Sequence, residues 1–293
     1  MVAIPVVDLA AEGHGQLLLD ACRWPGCFRV VNHGIPAALQ AEMKAAVRSL
    51  FDLPADVKLR NADVIAGSGY MCPTTVNPLY EAFGLYDAAS PADVDAFCSC
   101  LDAPPHHRET IRFYASHLHP LVASIASKIA ESLGLVGYSF SDWPCQFRMN
   151  RYNFTPETVG SSGVQIHTDS GFLTVLQEDE SVGGLEVMDA NGTFVAVDPL
   201  PGSLLVNLGD VAKVWSNGIL HNVKHRVLCK EAATRISIAL FLLAPKDDKV
   251  EAPAELVGPK IPRLYRSFYY EDYRKLRFSS ELQAGEALSL LAA

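Results

Sequence analysis

Three side chains define the chemistry open to this sequence. Gln165-Ile166-His167-Thr168-Asp169 sets an imidazole and a carboxylate two residues apart. Side chains on an extended chain repeat every two residues, so His167 and Asp169 point to one side and can grip one metal ion. A third ligand must come from a distant strand, and His225 in Val223-Lys224-His225-Arg226 is the candidate. Two imidazoles and a carboxylate on one face of an octahedron leave positions open for a co-substrate and O₂, the ligand set of non-haem Fe(II) oxygenases. Zinc more often sits in a closed tetrahedron or carries a water. Taken alone, His-x-Asp is a weak motif, because a strand-edge histidine bonded to a neighbouring aspartate would look the same. His221, four residues before His225, reads as a support or surface residue rather than a ligand.

What strengthens the motif lies downstream. Arg235-Ile236-Ser237 places a guanidinium fork and a hydroxyl on one side of a strand, a good receptor for the remote end of a dicarboxylate. That strand continues as Ile238-Ala239-Leu240-Phe241-Leu242-Leu243 and reads as buried. A buried arginine needs an anionic partner, and a bound carboxylate would serve. Competing chemistries lack their signatures: there is no G-x-G-x-x-G after a strand, no P-loop and no G-x-S-x-G elbow.

Composition narrows the class further. The 293 residues are 49% hydrophobic and 19% charged, enough to bury a large core. The formal net charge of -9 disfavours a nucleic-acid binder. An anionic substrate would need local cations in its pocket. No apolar run approaches the ~18 residues of a membrane span. The first twenty residues carry Asp8, Glu12 and Asp20 without Lys or Arg, unlike a leader peptide. Seven cysteines, an odd count without paired CxxC motifs, fit a reducing cytoplasm rather than a disulfide framework. The sequence carries no signal for oligomeric state.

These residues need strands to hold them. Ile4–Leu9 and Cys27–Val31 read as short strands. Ile35, Leu39, Met43, Val47 and Leu50 recur at helical spacing up to Pro54, as do Ile111, Leu118, Val122, Ile125, Ile129 and Leu133, with a kink expected at Pro120. Residues 61–100 read as one long irregular segment, the kind that often serves function. After Trp143 come β-like runs at 146–154, 171–177, 184–187, 193–197, 203–207, 222–228 and 235–243, separated by Gly, Pro, Asn and Asp, the pattern of a sandwich or barrel. The expected division is a helical N-terminal cover over 1–142, a β core over 143–245 and a Tyr-rich helical tail over 246–293, packed as one unit.

The chain resembles the plant 2-oxoglutarate- and Fe(II)-dependent dioxygenases. The similar segments fall in family order: IPVVDL at the start, GCFRVVNHGIP (Gly26–Pro36), Asn150-Arg151-Tyr152, HTDSGFLTVLQED (His167–Asp179), VGGLEV, NLGD (Asn207–Asp210), SNG with HRV, and RIS at Arg235–Ser237. The resemblance implies an α+β, mainly β fold: a distorted double-stranded β-helix (jelly-roll) core under N-terminal helices and a C-terminal helical tail. It implies His167, Asp169 and His225 as Fe(II) ligands. Arg235 and Ser237 would hold the distal carboxylate of 2-oxoglutarate, Tyr152 would donate to the same co-substrate, and Asn150 would stand near its chelating end. O₂ would be consumed, succinate and CO₂ released, and ascorbate would support turnover.

The substrate is less directly written. Phe241, at matching parity with Arg235, is expected to line the pocket, with Phe154, Tyr70 and Arg151 as further candidates; Phe83 and Phe97 read as core. Asn153-Phe154-Thr155-Pro156 stands where the family commonly has a Cys-Pro turn, at the substrate mouth. PLYEAFGLYD (Pro78–Asp87) and the compact length are similar to the auxin-oxidising members. That likeness implies oxidation of indole-3-acetic acid to 2-oxindole-3-acetic acid, and hence an aromatic carboxylic acid as partner. Arg148, Arg151 and Lys213 are all open as the cation for its carboxylate. The alternatives are the same chemistry on a gibberellin, a flavonoid or another plant metabolite, and a non-catalytic binding protein of the same fold, against which the intact ligand set argues.

Overall fold

The central strands are apolar on one face and mixed on the other, and both faces are covered. In the computed structural model, which describes residues 4–293, the N-terminal part contains β1 (Val6–Asp8), α1 (Gly15–Arg23), β2 (Cys27–Val31), α2 (Ala37–Phe51), α3 (Ala55–Lys58), β3 (Tyr80–Leu85), α4 (Pro91–Cys100) and α5 (Pro105–Ser132). The core follows as β4 (Cys145–Asn153), β5 (Ser162–His167), β6 (Leu173–Gln177), β7 (Leu185–Met188), β8 (Phe194–Ala196), β9 (Leu204–Leu208), α6 (Asp210–Trp215), β10 (His225–Leu228) and β11 (Thr234–Leu242). The tail holds β12 (Lys249–Val250), β13 (Phe268–Tyr269) and α7 (Tyr270–Ser280). A seven-stranded sheet runs β1-β2-β9-β6-β11-β4-β3 and a four-stranded sheet β5-β10-β7-β8. Together they make the distorted double-stranded β-helix.

Alternation assigns the two faces. On β11, Ile236, Ile238, Leu240 and Leu242 join the main core, while Arg235, Ser237, Ala239 and Phe241 face a cavity between the sheets. β4 does the same in antiparallel register: Phe147 and Met149 face the core, and Gln146, Arg148, Asn150 and Tyr152 the cavity. On β9, Leu204, Val206 and Leu208 pack inward and Leu205 and Asn207 look into the cavity. The helix layer covers the core face. α5 presents Ile111, Tyr114, Leu118, Val122, Ile125 and Ile129 at three- and four-residue spacing, and α2 packs beside it. Each fully buried large apolar side chain here contributes roughly 1.5–3 kcal/mol of transfer free energy.

Two expectations change. Residues 61–100 are not one irregular segment: they contain β3 and α4. β3 exists through its pairing with β4, Tyr80↔Tyr152 to Leu85↔Phe147, a long-range constraint invisible locally. α4 has a local signal, since the Ser90 hydroxyl accepts from Asp93 N and Pro91 occupies the first turn. α5 carries Pro120 inside one 28-residue helix, its buried stripe extending on both sides of the proline. β5, absent from the sequence reading, carries His167 and pairs with β10 through an irregular register. Among the described residues, no helix is long and apolar enough to cross a membrane.

Gly209 shows how tightly the core meets the turn after β5. A Cβ there would stand 2.3 Å from the Gly171 carbonyl oxygen and 2.7 Å from that of Asp169, both backbone atoms. Gly209→Ala is therefore expected to lower stability by about 1–3 kcal/mol, read as a reduced denaturant midpoint with an unchanged slope.

Candidate metal and co-substrate site

β5 ends at His167, β10 begins at His225, and the two are cross-strand partners. Their rings lie 4.1 Å apart between centroids. Asp169 follows on the turn into β6. Its Oδ1 is 3.7 Å from His167 Nε2 and 3.6 Å from His225 Nε2. The candidate ligand atoms of the three residues all lie within 4.8 Å of one another.

The protonation pattern suits a divalent ion. His167 Nδ1 sits 2.9 Å from the Gln165 carbonyl and His225 Nδ1 3.2 Å from that of Val223. A carbonyl can only accept, so each Nδ1 carries the proton and each Nε2 offers a lone pair towards the shared space. Burial, then the neighbouring His225, push the His167 pKa down to about 4, so it is neutral near neutral pH. Burial works to raise the Asp169 carboxyl, but His225, His167 and two hydrogen bonds hold it below its ordinary value. Those bonds come from Thr174 Oγ1 at 2.5 Å and Asn207 Nδ2 at 2.7 Å, both to Oδ2. Thr174 and Asn207 are themselves partners across β6 and β9. One carboxylate oxygen is thus pinned and the other left facing the imidazoles. Two imidazole nitrogens and one anionic oxygen form a donor set that fits Fe(II).

The cavity, about 270 Å³, also receives Arg235, Ser237, Tyr152 and Asn150. Arg235 is 2% exposed and makes no ion pair among the described residues. Its Nε is buried without a hydrogen-bond partner. Nη1 reaches Ser237 Oγ at 3.4 Å, and the guanidinium lies 5.0 Å from the centre of the Tyr152 ring. Such a group requires an anion, and the distal carboxylate of 2-oxoglutarate fits it. Asn150 donates to Ser237 Oγ at 3.3 Å and accepts from the Tyr80 hydroxyl at 2.9 Å.

Phe241 lines the cavity; the other three candidate substrate contacts do not. Phe154 is buried beneath Tyr152, 5.7 Å between ring centres, in the small apolar cluster between the sheets. The Tyr70 hydroxyl donates to Glu81 and its ring packs on Phe83, on the helix side. Arg151 falls between Asn150 and Tyr152, so parity turns it outward, where Glu81 and Asp52 pair with it. Phe83 and Phe97 are core residues. His221 packs on Trp24, 4.7 Å between rings, away from the ligand cluster. The sequence reading missed Thr174, Asn207, Tyr80, Arg274 and Arg277. Asn207 and Thr174 lie inside quoted motifs, but their role follows only from strand pairing.

The C-terminal helix closes the site. Arg277 pairs with the fully buried Asp210 and donates through Nη2 to the Thr168 and Gln283 carbonyls at 2.7 and 2.8 Å. A wider open groove between α2, α4 and α5 contains none of these ligands. Removing one support of Asp169 is expected to weaken the metal site without unfolding the protein: Asn207→Ala should lower Fe(II) affinity about 10- to 100-fold, measured by anaerobic metal titration.

Residues 143–244 match the model of the 2OG-Fe(II) oxygenase superfamily, and residues 4–95 that described as non-haem dioxygenase in morphine synthesis N-terminal. The chain is 66% identical over 300 residues to the 2-oxoglutarate-dependent dioxygenase DAO of Oryza sativa, spanning 100% of both chains. The crystal structure of the rice dioxygenase for auxin oxidation superposes with a TM-score of 0.91 at 65% identity, over 99% of this chain and 100% of that one. Dioxygenase for auxin oxidation 1 of Arabidopsis thaliana, in binary complex with 2-oxoglutarate, gives a TM-score of 0.85 at 53% identity, over 89% and 100%. With its fold, its two-histidine, one-carboxylate cluster and these full-length likenesses in agreement, the chain belongs to the 2OG-Fe(II) oxygenase superfamily as a dioxygenase using Fe(II), 2-oxoglutarate and O₂ on a small-molecule substrate.

Proposed function

We propose that the protein oxidises indole-3-acetic acid to 2-oxindole-3-acetic acid and so inactivates auxin. The likeness that carries this reading is the full-length 66% identity to the rice DAO dioxygenase. Support from the chain itself is a cavity that joins the metal cluster to an aromatic and apolar wall, with Phe241, Met71 and Phe278 beside it.

Fe(II), 2-oxoglutarate and O₂ together supply the oxidising chemistry, with succinate and CO₂ as co-products. The protein's part is to hold and orient. His167 and His225 would bind the ion through Nε2 and Asp169 through Oδ1. Arg235 and Ser237 would take the distal carboxylate of the co-substrate, beside Tyr152 and Asn150. Leu176, Leu185, Val187, Leu205 and Val227 wall the cavity with apolar surface, which excludes water and strengthens every charge interaction inside. The chain works in this reading as one unit. Residues 143–245 would carry the metal and co-substrate contacts, and 1–142 and 246–293 would supply walls. The same site could act on a gibberellin or flavonoid, but no observation favours those over the indole acid.

Incubation with Fe(II), 2-oxoglutarate, ascorbate and O₂ is expected to add one oxygen to indole-3-acetate with stoichiometric succinate, read by mass spectrometry against a gibberellin and a flavanone. Product on another compound alone would refute the auxin reading. His167→Ala should abolish turnover and weaken metal binding. Arg235→Ala should raise the 2-oxoglutarate requirement about 10- to 100-fold, the loss of a charge-assisted hydrogen bond; an unchanged requirement would remove Arg235 from this role.

A further inference from the structure

We propose that Asp179, braced by Lys44 on α2, is a positioning residue for Arg235 and Ser237 and so sets the affinity for the co-substrate. The inference rests on the reading that Arg235 and Ser237 take the distal carboxylate of 2-oxoglutarate, and it names what holds them in place.

The receptor sits where the large sheet loses one of its neighbours. β6 pairs with β11 from Leu173↔Leu242 to Gln177↔Ile238 and then ends. β11 begins earlier in the chain, at Thr234. The stretch Thr234–Ser237 therefore has β4 on one side, from Thr234↔Asn153 to Ser237↔Asn150, and no strand on the other among the described residues. A buried amide on that open side needs a partner from elsewhere.

A side chain completes the ladder. Asp179 lies two residues past the end of β6 and accepts from the Ile236 amide through Oδ2 at 3.0 Å. That amide belongs to the peptide joining Arg235 to Ile236, with Ser237 next in the chain. Fixing this peptide plane fixes the directions in which both receptor side chains leave the strand. Neither Asp179 nor Lys44 lines the cavity, so both act through the strand and not on the ligand.

Asp179 is itself tied down. It is 3% exposed, and its Oδ1 accepts from the amides of Ser181 and Val182, each at 3.1 Å. Lys44 Nζ lies 3.1 Å from Oδ2. Burial works to raise the carboxyl, but the Ile236 and Ser181 amides and Lys44 hold it below its ordinary value. Both oxygens face donors, so an amide in its place would turn an NH₂ towards one of them whichever way it flipped. The preceding acid, Glu178, bears on Arg235 but is paired with Arg29. Both acids next to the receptor strand are thus occupied, which leaves the Arg235 guanidinium to the dicarboxylate.

The test is equilibrium binding to the anaerobic Fe(II) protein, comparing 2-oxoglutarate with 2-oxovalerate, which keeps the chelating end and carries a methyl group in place of the distal carboxylate. The wild type is expected to prefer 2-oxoglutarate about 10- to 100-fold. Asp179→Asn should cut that preference about 3- to 10-fold and leave 2-oxovalerate binding unchanged. Lys44→Met should cut it about 2- to 3-fold, and Lys44→Arg should keep it. A general loosening of the fold would weaken both compounds alike, and that result overturns the positioning role, as does a full preference kept in folded Asp179→Asn. If Asp179→Asn fails to fold, Lys44→Met decides, and an unchanged preference there overturns the role. Arg235→Met separates the two readings. A preference that survives it removes the carboxylate receptor and the positioning role together, whereas a preference lost in Arg235→Met but kept in the Asp179 and Lys44 variants removes the positioning role alone.

Discussion

The buried carboxylate of Asp210 ties the catalytic half of the molecule together. It is 0% exposed and collects Asn222 Nδ2 and the Tyr273 hydroxyl, each at 2.7 Å, and the Arg277 guanidinium. Its own amide donates to the Asp169 carbonyl at 2.8 Å. One residue therefore links the turn bearing Asp169, the segment leading to His225 and the C-terminal helix. A buried charge left without its partner costs about 3–5 kcal/mol, so these three segments are held together or not at all. Arg277 extends the link to Thr168, between the two ligands on β5 and its turn.

The protein's own hydrogen bonds orient all three side chains of the metal cluster. Both histidines use one device, an Nδ1–H bonded to the carbonyl two residues earlier. Rotation of either ring would leave that donor unpaired, so the Nε2 lone pairs keep their direction. Asp169 is fixed by a different route, through side chains of two neighbouring strands. Supporting contacts of this kind are where such a site gains its precision.

Strand alternation makes the cavity possible. β4 and β11 each give one face to the helix-covered core and the other to the site, in matched register, so Tyr152 stands across from Arg235 and Asn150 across from Ser237. A one-residue slip would exchange core for cavity along the whole strand. The large apolar core is what forbids that slip, and in this sense the helices of α2 and α5 keep the site in register without touching it.

The period of two and the apolar runs were readable along the chain. They made His167 and Asp169 neighbours, set Arg235, Ser237 and Phe241 on one face, put Asn150 and Tyr152 on another, and revealed most of the core strands. The same period turns Arg151 away from Asn150 and Tyr152, against its expected place at the pocket. Other features depended on which distant segments meet. β3 exists because β4 accepts it; Thr174 and Asn207 support Asp169 because β6 and β9 pair; Phe154 packs beneath Tyr152 and Tyr70 against Phe83, contacts made between distant segments. Arg274 and Arg277 sit in a polar tail whose local pattern says only that it is helical. Local spacing determines which side of a strand a residue takes, because that is a property of the backbone repeat. Which surface that side meets is decided by long-range packing, and only the folded chain contains it.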